Sequence, residues 1–240
     1  MSLAAQIETT ISKLKEGSTF TYQDLGIEAT NYAAAAKALE RLQKKGKIRR
    51  LSKGIFYLPE QSVFGELKPT EAEVIKTYLF QDGKRVAYLT GTYLYNQMKL
   101  TLQVPNTWKV ASYNNRILID RQTIKARPVK AYVEVSEKNY RQLGFLDALK
   151  DWNSIPDMNS SGGISILLTQ LKKLTDKETN VLKQYALKYP PRVRAFLGAL
   201  LEQQKDVNLA DLRESLNPLS TYKIRLKPTD LLTAPNWNIV

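Results

Sequence analysis

The side chains that could carry chemistry in this sequence are chiefly cations. Between Lys37 and Lys53 there are eight basic residues and a single acidic one, Glu40. Such a density of Lys and Arg favours contact with a polyanion, because each cation can neutralise one phosphate. The alternative interpretation is a solvated surface that keeps the protein soluble.

The amino-acid composition excludes several catalytic classes. The 240-residue chain has 36 Lys and Arg against 23 Asp and Glu, a formal net charge of +13, and neither His nor Cys. It therefore lacks a Ser-His-Asp or Cys-His nucleophile, a zinc site of the usual nitrogen and sulfur ligands, and any disulfide. No apolar run approaches the roughly 18 residues of a membrane span, and the N-terminus has no secretory leader pattern. We expect a cytoplasmic protein that needs no cofactor.

Carboxylates are the remaining candidates for catalysis. Glu71 and Glu73 lie at the start of a predicted helix, where the helix dipole favours acidic residues, so a structural role is favoured there. Asp120 and Glu134 lie on predicted strands and could come together as a metal-binding pair, but no Glu-x-Lys completes a nuclease pattern. We predict that the protein is not an enzyme. The alternative is a nucleic-acid enzyme of the carboxylate–metal nuclease type.

The first sixty residues have the element order of a winged helix-turn-helix. An apolar stripe predicts a helix over 4–15, Thr21 can cap a short second helix, and 31–45 has the longest helical pattern of this region. Two short strands about Gly54 then predict a β-hairpin. We predict that residues 1–60 bind DNA, with the third helix in the major groove and the hairpin, or wing, against the backbone.

The predicted third helix has two sides of different chemistry. One side is apolar and should pack inward: Ala35, Ala38, Leu39 and Leu42. The opposite side is small near Ala33 and Ala34 and cationic further along, so its backbone can approach a groove while the cations meet phosphates. The predicted DNA-binding residues belong to this outward side, to the helix N-terminus and to the wing: Thr30, Asn31, Lys37, Arg41, Lys44, Arg49, Arg50 and Lys53.

The sequence pattern predicts that residues 61–240 form a second domain, a mixed α/β unit with a mostly antiparallel sheet and C-terminal helices. The whole protein is therefore predicted to be α+β. Thr70 caps the first helix of this domain, and Asn114-Asn115 is predicted to turn one strand into the next as a tight hairpin. The predicted strands are 85–89, 107–113, 116–120, 123–127, 131–135 and about 221–226. The predicted later helices are 136–151, 164–174, 176–189, 191–204 and 208–215, with a polar linker at 153–163.

A second basic set lies on the predicted strands of this domain. Lys125 and Arg127 alternate along one strand and therefore share one face of the sheet. An acidic protein partner, a DNA backbone and simple solvation are all compatible with such a face. The predicted partner-binding residues are Arg116, Arg121, Lys125 and Arg127.

Four segments spread over nearly the whole chain follow the pattern of a known family. They are RLSKGIFYLP at 50–59, YLTGTYLYNQMKLTLQVPN at 88–106, YPPRVRAFLGALLE at 189–202 and LNPLSTYKIRL at 216–226. On these segments the chain resembles the AbiEi-like antitoxin and transcriptional regulator family of type IV, or abortive infection, toxin–antitoxin systems. Lys99 departs from the family pattern, which often has Gly before Leu-Thr.

The resemblance implies two partners. One is double-stranded operator DNA, which the N-terminal winged helix would bind to repress the operon that encodes the protein. The other is a nucleotidyltransferase-like toxin encoded beside it, which the C-terminal region would neutralise.

Overall fold

The computed structural model describes residues 2–81, 83–120, 124–204 and 207–240. They form two compact units, within Met1–Arg85 and Val86–Val240. Helices and short, mostly antiparallel strands occur together, and the C-terminal part is helical, so the predicted α+β class is confirmed. Among the described residues, no helix is long and apolar enough to cross a bilayer.

The first unit combines helices with a small antiparallel sheet. Its described elements are α1 (Leu3–Ile11), β1 (Thr19–Thr21), a 3-10 turn (Ala29–Asn31), α2 (Tyr32–Lys44), β2 (Arg49–Ser52), β3 (Ile55–Tyr57), β4 (Glu60–Ser62), β5 (Gly65–Leu67), α3 (Glu71–Lys76), β6 (Phe80–Gln81) and β7 (Lys84–Arg85). The strand order β1-β3-β2 places β3 in the middle, antiparallel to both neighbours. Strands β4 and β5 form a separate hairpin, as do β6 and β7.

Local sequence explains α2, the predicted third helix. A run of alanines at 33–36 favours helix, and Gly46, with a φ of 73°, lets the chain leave it in a left-handed conformation. The predicted inward side is confirmed, because Ala35, Ala38, Leu39 and Leu42 are all buried. These residues share one apolar core with α1 and with Phe20 of β1.

The short second helix predicted after Thr21 is wrong, since residues 22–26 form turns. Thr21 ends β1, and Asp24 Oδ2 accepts hydrogen bonds from the Thr21 backbone N–H at 2.7 Å and from its hydroxyl at 2.8 Å. Hydrogen bonds from an Asp side chain to nearby backbone compete with helix formation and stabilise turns. The expected burial of Leu25 and Ile27 is nevertheless confirmed.

The first compact unit extends beyond the predicted domain 1–60. The Thr19 hydroxyl of β1 donates to the Glu73 carbonyl of α3 at 2.8 Å. The Thr70 hydroxyl accepts the Glu73 N–H and caps α3 as predicted. Val74 and Ile75 of α3 are buried. Helix α3 is therefore fastened to the sheet, and the unit ends at Arg85 rather than at residue 60.

The second unit is a four-stranded sheet with several helices. Its described elements are β8 (Ala87–Thr90), α4 (Thr92–Gln97), β9 (Trp108–Ser112), β10 (Ile119–Asp120), β11 (Lys125–Lys130), α5 (Tyr140–Asp151), a 3-10 turn (Trp152–Ser154), α6 (Ser160–Leu171), α7 (Asp176–Ala186), α8 (Pro191–Glu202), α9 (Ala210–Glu214) and a 3-10 turn (Ala234–Trp237). The strand order is β10-β11-β9-β8. Strands β9 and β11 are parallel, and the other two pairs are antiparallel.

Helix α8 lies at the centre of the second unit. It begins at Pro191, and Phe196, Leu197 and Leu200 in its middle are fully buried. A Cβ at Gly198 would lie 2.3 Å from the Trp237 ring, so glycine allows this close approach. Helices α6 to α9 follow the predicted ones within a few residues at each end.

Strand pairing differs from the prediction in three places. The hairpin predicted at Asn114-Asn115 is wrong, because β9 pairs with β8 and β11 and not with β10. The strand predicted over 131–135 is wrong, because β11 ends at Lys130. The strand predicted near 221–226 reduces to a single bridge between Tyr222 and Ile239. Pairing depends on residues distant in sequence, which a local pattern does not identify.

Two smaller features concern the predicted linker and the backbone of Lys99. The linker predicted at 153–163 lies inside the second unit, where α6 begins at Ser160. Lys99 has a φ of 66°, in the left-handed region that glycine adopts most easily.

Candidate functional site

The outward side of α2 presents cations to solvent. Lys37, Arg41 and Lys44 are exposed and follow the i, i+4, i+7 spacing of one helix face. Lys44 is not free, since its Nζ lies 2.8 Å from Glu40 Oε1, and this ion pair lowers the pKa of Glu40. Lys37 and Arg41 have no ionic partner among the residues that the structure describes. They are the available charges of this helix.

The N-terminal end of α2 presents small and polar groups. Thr30 and Asn31 lie on the 3-10 turn before α2, and both are exposed. Asn31 occupies the N-cap position, but its side chain makes no capping hydrogen bond. Ala33 and Ala34 are exposed in the first turn of the helix. This end can therefore approach a surface closely and offer hydroxyl and amide groups to it.

The three cations of the predicted wing differ in whether other residues already bind them. The segment predicted as the wing forms the β2–β3 hairpin, and Lys53 is exposed at its turn beside Gly54, whose φ is 76°. Arg50 is exposed, and its Nε donates to the Ser52 carbonyl at 3.3 Å. Arg49 is held by Glu66, with Nε and Nη2 donating to the two carboxylate oxygens at 3.1 and 2.8 Å. Lys53 is thus the most available of the three.

The β4–β5 hairpin was not predicted from the sequence. Its two-residue turn is Val63-Phe64, whose side chains are 94% and 95% exposed. Ser62 Oγ donates to the Gly65 carbonyl at 2.8 Å, and Gly65 takes a φ of 103°. The pattern Ser-Val-Phe-Gly between two short polar segments was the available signal, since Gly tolerates the positive φ of such turns.

The predicted basic face of the second unit is present in part. Lys125 and Arg127 lie on β11 and are both exposed. Arg116 is exposed, but it precedes β10 instead of lying on a strand. Arg121 lies outside the described residues. Sequence reasoning missed Lys109 of β9, which is exposed and is the Cα partner of Arg127 in the parallel pair.

Lys109 has a defined position on this face. Its aliphatic carbons lie against Gly91, where an added Cβ would be 2.7 Å from Lys109 Cδ. Gly91 has a φ of 70°, so the backbone conformation and the lysine stem both favour glycine there. Two like charges side by side on neighbouring strands repel each other unless an anion lies between them. The Lys109–Arg127 pair is therefore a candidate contact for an acidic partner.

A buried polar cluster lies beneath the sheet of the second unit. Asp147 of α5 is 1% exposed. Its Oδ2 accepts hydrogen bonds from the hydroxyls of Tyr88 (2.9 Å) and Thr90 (2.8 Å). Its Oδ1 accepts from Lys150 Nζ at 3.2 Å and from the Tyr189 hydroxyl at 3.3 Å. These bonds tie α5 to β8 and to the segment before α8.

The ionisable groups of this cluster change each other's pKa. Burial raises the pKa of the Asp147 carboxyl, although the Lys150 ammonium and the hydroxyls of Thr90 and Tyr88 act in the opposite sense. Burial lowers the pKa of Lys150, but the carboxylates of Asp147 and Asp151 raise it more, so the net change is upward. A lone Asp in the apolar run 143–149 was the sequence signal for this cluster. Every group has a partner, as expected of a structural network.

The carboxylates considered as a catalytic pair lie on separate segments of the second unit. Asp120 of β10 is the Cα partner of Lys125, and Glu134 is exposed after the end of β11. Glu73 lies 3.6 Å from Lys76 Nζ on α3, an ion pair between successive turns. In the described parts of the chain, no group of three or more His, Cys, Asp or Glu residues could hold a metal ion.

Comparison with known proteins gives a family and a fold. A family model described as a family of unknown function, DUF6088, matches residues 6–134, more than half of the chain. A search of the curated proteins found no match. A similar solved structure is the crystal structure of the RV2827C protein from Mycobacterium tuberculosis. It has a TM-score of 0.50 and 12% identity, over 92% of this chain and 84% of that chain. At this identity the likeness concerns the fold alone.

Proposed function

This chain belongs to DUF6088, a family of unknown function, and we propose that it is a DNA-binding transcriptional repressor that also acts as an antitoxin. Residues 1–60 bind double-stranded operator DNA and repress the operon that encodes the protein. The remainder of the chain neutralises a nucleotidyltransferase-like toxin. The resemblance of four sequence segments to AbiEi-like antitoxins motivates this proposal.

The order and pairing of the N-terminal elements support a winged helix. Helix α1 is followed by the short strand β1, then by α2 and by the β2–β3 hairpin. The hairpin's second strand pairs with β1, which places hairpin and helices around one core. In winged helix-turn-helix proteins the helix before the hairpin enters the major groove. Helix α2 takes this role in the proposal, and the β2–β3 hairpin is the wing.

The exposure of Lys37 and Arg41 on α2 is the observation that carries the DNA-binding proposal. They are exposed on the side of α2 that faces away from the core, and no described residue neutralises them. The exposed Ala33 and Ala34 at the start of the helix leave room for a groove wall. Lys53 at the wing turn adds a third available cation. Phosphate contacts by such residues fix the register and orientation of a protein on DNA.

Binding to DNA tests the proposal directly. We propose to titrate a labelled duplex from the region upstream of the gene with the full chain, in salt from about 50 to 200 mM. Phosphate contacts by Lys37, Arg41, Arg50 and Lys53 predict a log–log salt slope of about −3 to −4. A scrambled duplex of equal length should bind at least about tenfold more weakly. Absence of binding, or binding that does not respond to salt, would contradict the proposal.

The antitoxin part of the proposal rests on charge complementarity. A nucleotidyltransferase needs acidic residues to hold its metal ions, so its active cleft is a negative surface. Lys109, Lys125 and Arg127 form an exposed basic face on β9 and β11 that can steer this protein towards such a cleft.

No observation favours the nuclease alternative, and the absence of enzymatic activity stays a prediction.

A further inference from the structure

The carboxyl ends of β9 and β11 meet at a cavity that the proposed function does not use. These two strands run parallel, with Lys130 of β11 paired to Ser112 of β9. The cavity beyond them has a volume of about 360 Å³ and is lined by Tyr113, Lys130, Ala131 and Tyr132. Open α/β sheets commonly bind ligands just outside the carboxyl ends of parallel strands.

One wall of this cavity is held in place by packing. The Tyr132 ring lies against the Tyr189 ring, with centroids 4.3 Å apart. Lys150 Nζ lies 5.6 Å from the centre of the Tyr132 ring. The Ala131 N–H donates to the Ser112 carbonyl at 2.9 Å, which continues the β9–β11 pairing to the cavity edge. An aromatic surface is therefore fixed before any ligand arrives.

The other two lining side chains are available to a ligand. Tyr113 is 48% exposed, so part of its ring is accessible to a ligand. Lys130 is exposed. Within residues 2–81, 83–120, 124–204 and 207–240, neither side chain has a hydrogen-bond or ionic partner. The ammonium of Lys130 can thus bind an anion without breaking an existing pair.

These residues define the chemistry of the ligand. Tyrosine rings stack on planar aromatic groups, and a lysine ammonium binds phosphate as a point charge. A volume of about 360 Å³ lies within the range of about 300–1,000 Å³ found for small-molecule sites. We propose that this cavity binds a nucleotide, with the base on the tyrosines and the phosphate at Lys130. The nucleotide is either a free mononucleotide or the 5′-phosphorylated end of a single strand.

Calorimetric titration of the full chain tests this site. The probes are AMP, CMP, the corresponding nucleosides, inorganic phosphate and a 5′-phosphorylated trinucleotide. We expect saturable binding of a nucleotide probe and at least about tenfold weaker binding of both the nucleoside and inorganic phosphate, since each lacks one of the two contacts. Both Lys130→Ala and Tyr113→Ala should weaken binding about fivefold to thirtyfold, because each removes one of them. Lys138→Ala, at an exposed lysine elsewhere in the second unit, is the matched control and should bind as the unaltered chain does.

The same titrations can overturn the inference. No saturation by any nucleotide probe up to about 10 mM would exclude a useful site. Equal binding by Lys130→Ala, Tyr113→Ala and the unaltered chain would place the ligand elsewhere. Phosphate that binds as tightly as AMP would remove the role of the tyrosines. Nucleotide binding with the expected pattern supports the site, and the tighter of mononucleotide and trinucleotide identifies the source.

Discussion

Arg49 of β2 and Glu66 of β5 form a two-point ion pair that joins two hairpins of the first unit. Arg49 Nε and Nη2 donate to the two carboxylate oxygens at 3.1 and 2.8 Å. The Tyr57 hydroxyl donates to the same carboxylate at 3.4 Å. Burial and the nearby Glu66 charge raise the pKa of Tyr57, so this hydroxyl remains a donor at neutral pH. An arginine predicted to contact DNA is therefore already engaged.

Releasing Arg49 should strengthen DNA binding. Glu66→Gln removes the competing carboxylate charge, so we expect about threefold to tenfold higher affinity and a salt slope steeper by about 0.9. Glu60→Gln is the control, because it removes an exposed acidic charge from the same hairpin without breaking an ion pair. Equal effects of the two substitutions in DNA titrations would mean that Glu66 acts only through net charge.

The polar cluster around Asp147 should be essential for stability. Asp147→Ala leaves Lys150 and the hydroxyls of Tyr88, Thr90 and Tyr189 without their common acceptor, so we expect a loss of about 3–5 kcal/mol in the free energy of unfolding. Asp176→Ala, at an exposed helix start, should lose less than about 1 kcal/mol. Denaturant unfolding measures both. Similar losses for the two variants would contradict the role given to Asp147.

Two glycines should respond to alanine in opposite ways. At Gly198 of α8 an added Cβ would meet the Trp237 ring at 2.3 Å, and we expect a loss of about 1–3 kcal/mol. At Gly162 of α6 the nearest side-chain atom would be 3.8 Å away, so alanine should gain up to about 1 kcal/mol from its helix preference. Thermal unfolding of both variants checks this contrast. An unchanged Tm for Gly198→Ala would show that α8 does not pack on Trp237 as described.

The basic face of the second unit should matter for neutralisation and not for operator binding. Lys125→Glu with Arg127→Glu reverses two exposed charges, so we expect loss of protection in cells that express the neighbouring toxin. Lys172→Glu with Lys173→Glu is the matched control, because it reverses two exposed lysines outside this face. Growth after toxin induction is the readout. Full protection by the first variant would remove the basic face from the mechanism and leave the repressor proposal untouched.

Local patterns account for what could be predicted from the sequence. The buried face of α2, the cap at Thr70 and the helices α6 to α9 depend on residues within one or two turns. The parallel β9–β11 pair depends on residues far apart in the chain, and the Asn114-Asn115 dipeptide suggested a hairpin in its place. The exposure of Lys37, Arg41 and Lys44 on one face of α2 could be predicted from the same kind of local pattern.

The contacts that the candidate site residues make with distant side chains could not be predicted from sequence. Glu66 lies 17 residues from Arg49, and Tyr88 lies 59 residues from Asp147, so no local rule connects either pair. The neighbour relation of Lys109 and Arg127 likewise appears only once strands have paired. Non-local pairing thus decides which of the many cations are available and which are neutralised.

Helix α2 is proposed to bind the DNA backbone through Lys37 and Arg41. The most direct measurement is the affinity of the Lys37→Ala, Arg41→Ala double variant for the upstream duplex, over a range of salt. We expect about tenfold to hundredfold weaker binding and a salt slope flatter by about 1.8, since two phosphate contacts are lost. The Lys172→Ala, Lys173→Ala variant removes equal charge from exposed positions of the second unit and should bind as before. Unchanged affinity and slope in the α2 variant, with its fold intact, would show that Lys37 and Arg41 do not contact the DNA backbone.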